Sequence, residues 1–382
     1  MNVASIVHGF DPAFPVLQPS AGIGGDVPYL PADPSTVLWG RLPRTGDRPI
    51  ATMGAGDTVV VDTVSHEGIL DDQGSDPVAY FGRHGVERDF VLADAVEVTA
   101  TRTRDSLAGP HIITGPIAVS GAQPGDLLAI RVDDLTMRAP YGVVSTRHAR
   151  GVLAHRIGFD GDYGQFCAVE SRPEGWFGTM PLHPNRPHRA AFPLHPFLGI
   201  IGVATDTEDR LSSVPPGLHG GNIDIRRLTP GTTLFLPVQV PDALFYIGDP
   251  HFAQGNGEVA LTAMEAPLRA RLTVDVIPAA QVRAGLGRPV GPFAIGNGLL
   301  IPTGLDADID RALATCVRNA VELVVSMFDA DPKQAYLYLS AATDFTISQA
   351  VDQVRGVHGE VRVADFAHHA GSDLAKRVLE RA

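Results

Sequence analysis

The sequence predicts a mainly β body, of sandwich or barrel-like strands, with a C-terminal α+β part. Three observations carry that reading. Short alternating or wholly apolar runs separated by Gly, Pro and Asp fill the chain from Pro49 to about Pro278; a Gly-containing turn recurs at strand entries; and the hydrophobic period changes from two to 3.6 after Pro302.

The first 45 residues contain seven prolines and a Gly-Gly pair with little periodicity, which reads as an extended arm able to wrap a neighbouring subunit. A β-rich core is expected over 46–290 and an α+β region packed on it over 291–382. Runs such as Asp57–Asp62, Ile117–Ser120, Leu127–Val132, Thr232–Val238 and Leu268–Val276 are the strands. Ala55-Gly-Asp57, Pro124-Gly-Asp126 and Pro230-Gly-Thr232 each enter one, and Pro followed by Gly suits a tight type II turn. Thr114-Gly-Pro-Ile before the second turn and Gly220-Gly-Asn-Ile before the third suggest an internal duplication.

Past Pro302, the residues Ile309, Leu313, Cys316, Val317, Ala320, Val324 and Phe328 fall on one helical face. Asp331-Pro332 reads as an N-cap followed by proline at the first helical position. Thr346-Ile-Ser-Gln349 reads as a capping box opening a helix that Gly356 closes, followed by a short strand near Val361 and a last helix.

Composition excludes several classes. The 382 residues, 44% apolar, suffice for a real core. Thirty Lys and Arg against 43 Asp and Glu give a net charge of −13, with no basic cluster longer than a pair, so nucleic acid is not an expected partner. The longest strongly apolar stretch, Ala320 to Phe328, is short of the ~20 residues that cross a bilayer, so no membrane partner is expected and a cytoplasmic location is. Cys167 and Cys316 are too few for a disulfide framework, and Lys333 and Lys376 are the only lysines.

The densest polar segment is Gly248-Asp-Pro-His-Phe-Ala-Gln-Gly-Asn-Gly-Glu258. Asp249 and His251 project to one side of an extended chain, an arrangement that suits a divalent cation such as zinc. A Gly-rich hairpin satisfying its own amides fits the spacing equally well. Three further groups qualify: His219, Asn222 and Asp224 in a Gly-rich loop; His111 just before a strand; and His66 with Glu67, Asp71 and Asp72 behind it.

Several of these segments, in order, resemble the acetamidase/formamidase family: Gly109–Asp126, Pro196–Val203, Gly220–Asp224, Gly248–His251, Gln254–Glu258, Ile347–Asp352 and Gly356–His358. The resemblance runs from about Pro49 to His358. It implies hydrolysis of a small linear amide to carboxylate and ammonia, on a β-rich fold with a C-terminal α+β part, by a cytoplasmic homo-oligomer, a dimer or larger. The family usually has aspartate where this chain has Asn256, which puts in doubt any part that position plays in metal binding or proton transfer.

Amide hydrolysis needs a nucleophile, an oxyanion stabiliser and an acid for nitrogen. Neither lysine lies near a Gly/Ser-rich loop and no Gly-x-Ser-x-Gly elbow occurs, leaving a water activated by a divalent metal, zinc first and calcium as the alternative. Asp249 and His251 are the first-ranked ligands, His111 a third, and His66, Asp72 and Asp224 lower-ranked candidates. Glu258 is the expected general base and later acid, and Asn222 and Gln254 the groups that orient the amide. Two other readings stay open: a hydrolase of the same family acting on a different or cyclic amide, and a non-catalytic metal- or carbohydrate-binding β protein.

Overall fold

The structure is a computed structural model that describes residues 14–147, 150–156, 158, 161–183, 186–287, 291–366 and 371–380. As expected, it is mostly β with helices concentrated toward the C-terminus. Among the described residues, one sheet of nine strands runs in the order Tyr29–Leu30, Thr58–Asp62, Leu268–Ile277, Leu127–Met137, Thr233–Pro237, Phe293–Gly296, Leu299–Asp306, Arg355–Arg362, Asp344–Gln349. The second sheet centres on Phe245–Ala253, which pairs with Phe197–Val203 on one side and with Ile112–Val119 and Met264–Glu265 on the other.

The main core lies between these sheets. Val59, Val61, Ile130, Leu234 and Leu272 of the first meet Ile117, Leu198, Ile201, Phe245 and Ile247 of the second. The opposite face of the first sheet, through Leu127, Phe235, Phe293 and Leu300, packs on Ala320, Leu323, Val324 and Met327 of the long helix Ile309–Phe328. Three layers result, and the C-terminal strands extend the same sheet as the central ones.

The sequence-derived turns behave as physical chemistry requires. Gly125 and Gly231, both at φ 92°, enter the paired antiparallel strands Leu127–Met137 and Thr233–Pro237. Gly125 N donates to Val238 O and Gly231 N to Val132 O, a reciprocal arrangement of the two similar units. Asp331 caps the helix Pro332–Ala342, accepting from the amides of Lys333 and Gln334. The long helix buries Ala312, Cys316, Ala320 and Leu323, while Leu313, placed on that face by its spacing, is 40% exposed.

Three expectations are corrected. Thr346–Gln349 opens no helix: Asp344–Gln349 is a strand, because Arg355–Arg362 offers it a full antiparallel ladder that outweighs a four-residue capping pattern. Gly248–Ala253 is strand rather than a Gly-rich connection. The stretch read wholly as strands also contains the helices Pro77–Gly82 and Ala93–Thr101. Residues 14–45 lie on the body of their own chain, with Val37–Trp39 paired to Ile112–Thr114 and Leu42 fully buried; residues 1–13 of the arm fall outside those described.

Candidate metal and amidase site

Asp249 and His251 sit two residues apart on the central strand Phe245–Ala253 and therefore share a face, with His251 Nε2 3.0 Å from Asp249 Oδ2. Register pairs His251 with Glu265 on the next strand, whose Oε1 lies 3.0 Å from the same nitrogen. His66, in the loop after Thr58–Asp62, brings Nδ1 to 3.5 Å from Asp249 Oδ1 and 3.8 Å from Glu265 Oε2. His111 enters from the start of its strand, Nε2 3.8 Å from Asp249 Oδ1, with its other ring nitrogen 2.9 Å from Ser213 Oγ.

On the far side Asp224 lies 4.0 Å from His251 Nδ1, and its carboxylate groups with those of Glu258 and Asp352. All eight of these side chains are buried. Asp249, Asp224 and Glu258 hold their backbones at φ 49°, 47° and 44°, a left-handed conformation that costs energy for a side-chain-bearing residue and that clusters at functional sites. Gly199 forms the floor: a Cβ there would lie 2.6 Å from both Asp249 Oδ2 and His251 Cε1, and closer still to Asp224 Oδ1.

Five carboxylates and three imidazoles buried together shift one another's proton affinities. Burial together with Glu258, Asp352 and Asp249 pushes the Asp224 carboxyl well above its ordinary range. Burial with Asp352, Glu265 and Asp249 does the same to Glu258, and burial raises Asp352 to about 7. Burial lowers His111 to about 4. Burial works against charge on His251, but Glu265 and Asp249 outweigh it and raise that ring well above the usual value. His251 Nε2 is paired to Asp249 and Glu265, but His66 Nδ1, His251 Nδ1, both oxygens of Asp224, Asp249 Oδ1, Glu258 Oε2, Glu265 Oε2 and Asp352 Oδ2 have no aligned hydrogen bond. Buried polar atoms are normally paired, and this convergence of buried acidic and imidazole groups could hold a cation. The donor set, imidazole nitrogens with carboxylate oxygens, fits a divalent ion.

The site forms the floor of a cavity of about 1240 Å³, lined near the donors by His66, His111, Asn222, Asp249, Glu258 and Glu265. Most sequence-derived candidates thus converge: Asp249, His251, His111, His66, Asp224, Glu258 and, at the wall, Asn222. Asp72 lines the same cavity but pairs with Arg147, 3.3 Å from its Nε, and is not among the grouped donors. Gln254 does not line the cavity; its Nε2 donates to the carbonyls of Asp224 and Ser348 and clamps two loops. Asn256 is exposed, so the residue in place of the family's aspartate lies outside the donor set. His219, which alone resembles a surface histidine, is buried, and burial lowers it to about 4.

Two donors escape sequence reasoning. Glu265 stands in Ala263-Met-Glu-Ala266, where no motif marks it, and strand pairing alone brings it to His251. Asp352 lies past the strand Asp344–Gln349, inside the stretch expected to be a helix closed by Gly356. Elsewhere, burial raises the Cys167 thiol to about 12, and both lysines are exposed on helices, so none of the three lines the cavity.

Comparison with known proteins matches part of the chain to one family. A model of the acetamidase/formamidase family matches residues 203–358. That stretch contains Asn222, Asp224, Asp249, His251, Glu258, Glu265 and Asp352 but not His66 or His111. The formamidase of Methylophilus methylotrophus is 29% identical over 238 residues, 50% of this chain and 58% of that protein. The acetamidase of Mycolicibacterium smegmatis is 30% identical over 214 residues, 42% of this chain and 52% of that one. The chain thus spans about half the length of the curated relatives it matches. The crystal structure of acetamidase from Yersinia enterocolitica shares the fold, with a TM-score of 0.69 at 20% identity over 91% of this chain and 96% of that one.

Proposed function

We propose, from the likeness of residues 203–358 to the acetamidase/formamidase family, that the protein hydrolyses a small linear amide of the formamide or acetamide kind to carboxylate and ammonia. The observation that carries the reading is the convergence of partnerless buried donors on the floor of an open cavity. Asp249, His251, His66, His111 and Glu265 would hold the metal, with Asp224 and Asp352 beside them. Zinc suits the imidazoles, and calcium would suit the carboxylate majority. A divalent ion at such a site supplies Lewis acidity toward the amide carbonyl and toward water.

The chain's own residues supply the rest. Glu258 Oε2, free of a hydrogen-bond partner, takes a proton from the attacking water and returns it to nitrogen as the C–N bond breaks. The raised affinity of Glu258 for protons suits its return of a proton to the leaving nitrogen. Asn222 at the cavity wall orients the amide. The same reading makes the protein a cytoplasmic homo-oligomer.

The test pairs metal analysis with ammonia release from formamide, acetamide, propionamide and urea. Chelation should abolish turnover and zinc should restore it. Glu258→Gln should stay folded and metal-loaded while turnover falls about 10²–10⁴-fold. Near-normal turnover in that variant would move the base to Asp224, and loss of metal would make Glu258 a ligand. A His251→Ala protein with full metal and normal turnover would sink the assignment.

A further inference from the structure

Outside the donor set lies a second buried array. His358, fully buried in the strand Arg355–Arg362, has Nδ1 2.7 Å from Ser348 Oγ and Nε2 3.7 Å from Glu360 Oε1. Glu360 is in turn held by Arg227, whose Nε and Nη2 each donate to it at 2.8 Å. Nε2 is too far from Glu360 for a hydrogen bond, so the short Nδ1–Oγ bond to Ser348 is what holds the ring, with either atom able to donate. The order resembles a serine hydrolase triad, but Ser348 is buried and does not line the cavity. Its hydroxyl has no substrate to attack.

What Ser348 does touch is the framework of the site. The ladder between the two C-terminal strands pairs Ile347 with Val357 and Gln349 with Gly356, so Ser348 is the extra residue of a bulge. A bulge frees a residue from its ladder and re-aims it, and bulges recur beside active sites. The freed Ser348 carbonyl accepts from Gly257 N at 3.0 Å and from Gln254 Nε2 at 3.1 Å. Gly257 precedes Glu258, and the same Gln254 nitrogen donates to the Asp224 carbonyl at 3.0 Å. One residue on, the Gln349 side chain accepts from the amides of Val351 and Asp352. Asp224, Glu258 and Asp352, the three grouped carboxylates, are therefore all tied to the backbone at this bulge.

We propose that His358, acting through the Ser348 hydroxyl, is a positioning residue that pins this bulge and so fixes the placement of Asp224, Glu258 and Asp352. Without the pin, Ser348 can swing its carbonyl back toward the ladder, and the Gly257 and Gln254 contacts loosen. The donors drift although none of them has changed. The role rests on the metal-dependent amidase reading, but its first readout does not.

The test uses the full-length protein and zinc titration, followed by amide turnover. Asparagine can place a polar atom where Nδ1 sits, whereas glutamine reaches only toward Nε2. His358→Gln and Ser348→Ala should each weaken zinc binding about 10–100-fold, the range for loss of a group that orients ligands. They should lower kcat by at least tenfold with KM within about twofold. His358→Asn should recover most of both. Unchanged zinc affinity and kcat in Ser348→Ala, which deletes one hydroxyl and is expected to fold, would overturn the proposal. So would His358→Asn as impaired as His358→Gln. If the unaltered protein binds zinc but releases no ammonia from any amide, the amidase reading fails, while the zinc titrations still decide the role of His358.

Discussion

Two groups of buried charge begin four residues apart, at Asp62 and at His66, and they are built on opposite principles. Asp62 accepts from Arg269 Nε and Nη2 at 2.6 and 2.8 Å and from the Tyr29 hydroxyl at 2.6 Å. Arg138, fully buried, lies 3.1 Å from Asp62 and 2.7 Å from Asp94. Two aspartates meet two arginines, and the sum is neutral. The His66 group gathers five carboxylates and three imidazoles, and the Arg147 beside it is held by Glu67 and Asp72 rather than by any of the five. The first group binds the N-terminal segment to the body, since Arg138 donates to Leu17 O and Arg269 to Gln18 O. The second is a group that could hold a cation. Buried charge that is balanced within the chain is architecture, and buried charge left unbalanced is a site for something the chain must acquire.

The most direct way to break that contrast is Arg138→Met. It strands the buried Asp94 carboxylate and takes one of two arginines from Asp62, and should cost about 3–5 kcal/mol in urea unfolding, with the metal content of the folded fraction unchanged. The matching change in the other group, Asp352→Asn, removes a carboxylate whose neighbours are also acidic. It should weaken zinc about 10–100-fold, yet leave the metal-free protein no less stable, as read by calorimetry on the chelated sample. If Asp352→Asn unfolds the metal-free protein as badly as Arg138→Met, both groups are structural and the distinction fails.

Gly199→Ala sharpens the comparison at smaller scale. The added methyl has nowhere to go except into Asp224, Asp249 and His251, and overpacking of this kind costs about 1–3 kcal/mol. Because it strikes the floor of the site, zinc affinity should fall along with the melting temperature. A melting temperature lowered with zinc affinity intact would mean that the donors can relax around the methyl.

The same contrast explains what was legible in the sequence. Strands, Pro-Gly turns and the long helix follow from period and local turn chemistry, which act over a few residues. Asp249 and His251 were legible because two residues on one strand necessarily share a face. His66 and His111 could be named but not joined, since they meet Asp249 only through strand order. Glu265 was hidden because an acid in an apolar run carries no local signal until its strand partner is known. Asp352 was lost when Thr346–Gln349, whose residues fit a capping box as a pattern, paired as a strand instead. Asp72 lay in an acidic run near His66 and looked like a ligand, but Arg147 neutralises it. The sequence order of charges does not say which are balanced.

Asn256 gives the smallest expected effect and tests how far a motif position can be trusted without geometry. It occupies the place where the family usually has aspartate, two residues before Glu258, and by sequence alone its amide implies a missing carboxylate. In the fold it is exposed on a turn, while the next two residues turn inward and only Glu258 joins the donors. A charge added at a solvated surface position changes stability by no more than about 0.5 kcal/mol. Asn256→Asp should therefore leave zinc affinity, turnover and melting temperature near those of the unaltered protein. A tenfold or larger rise in turnover would show that this turn reaches the substrate and that the cavity's catalytic wall extends beyond Glu258.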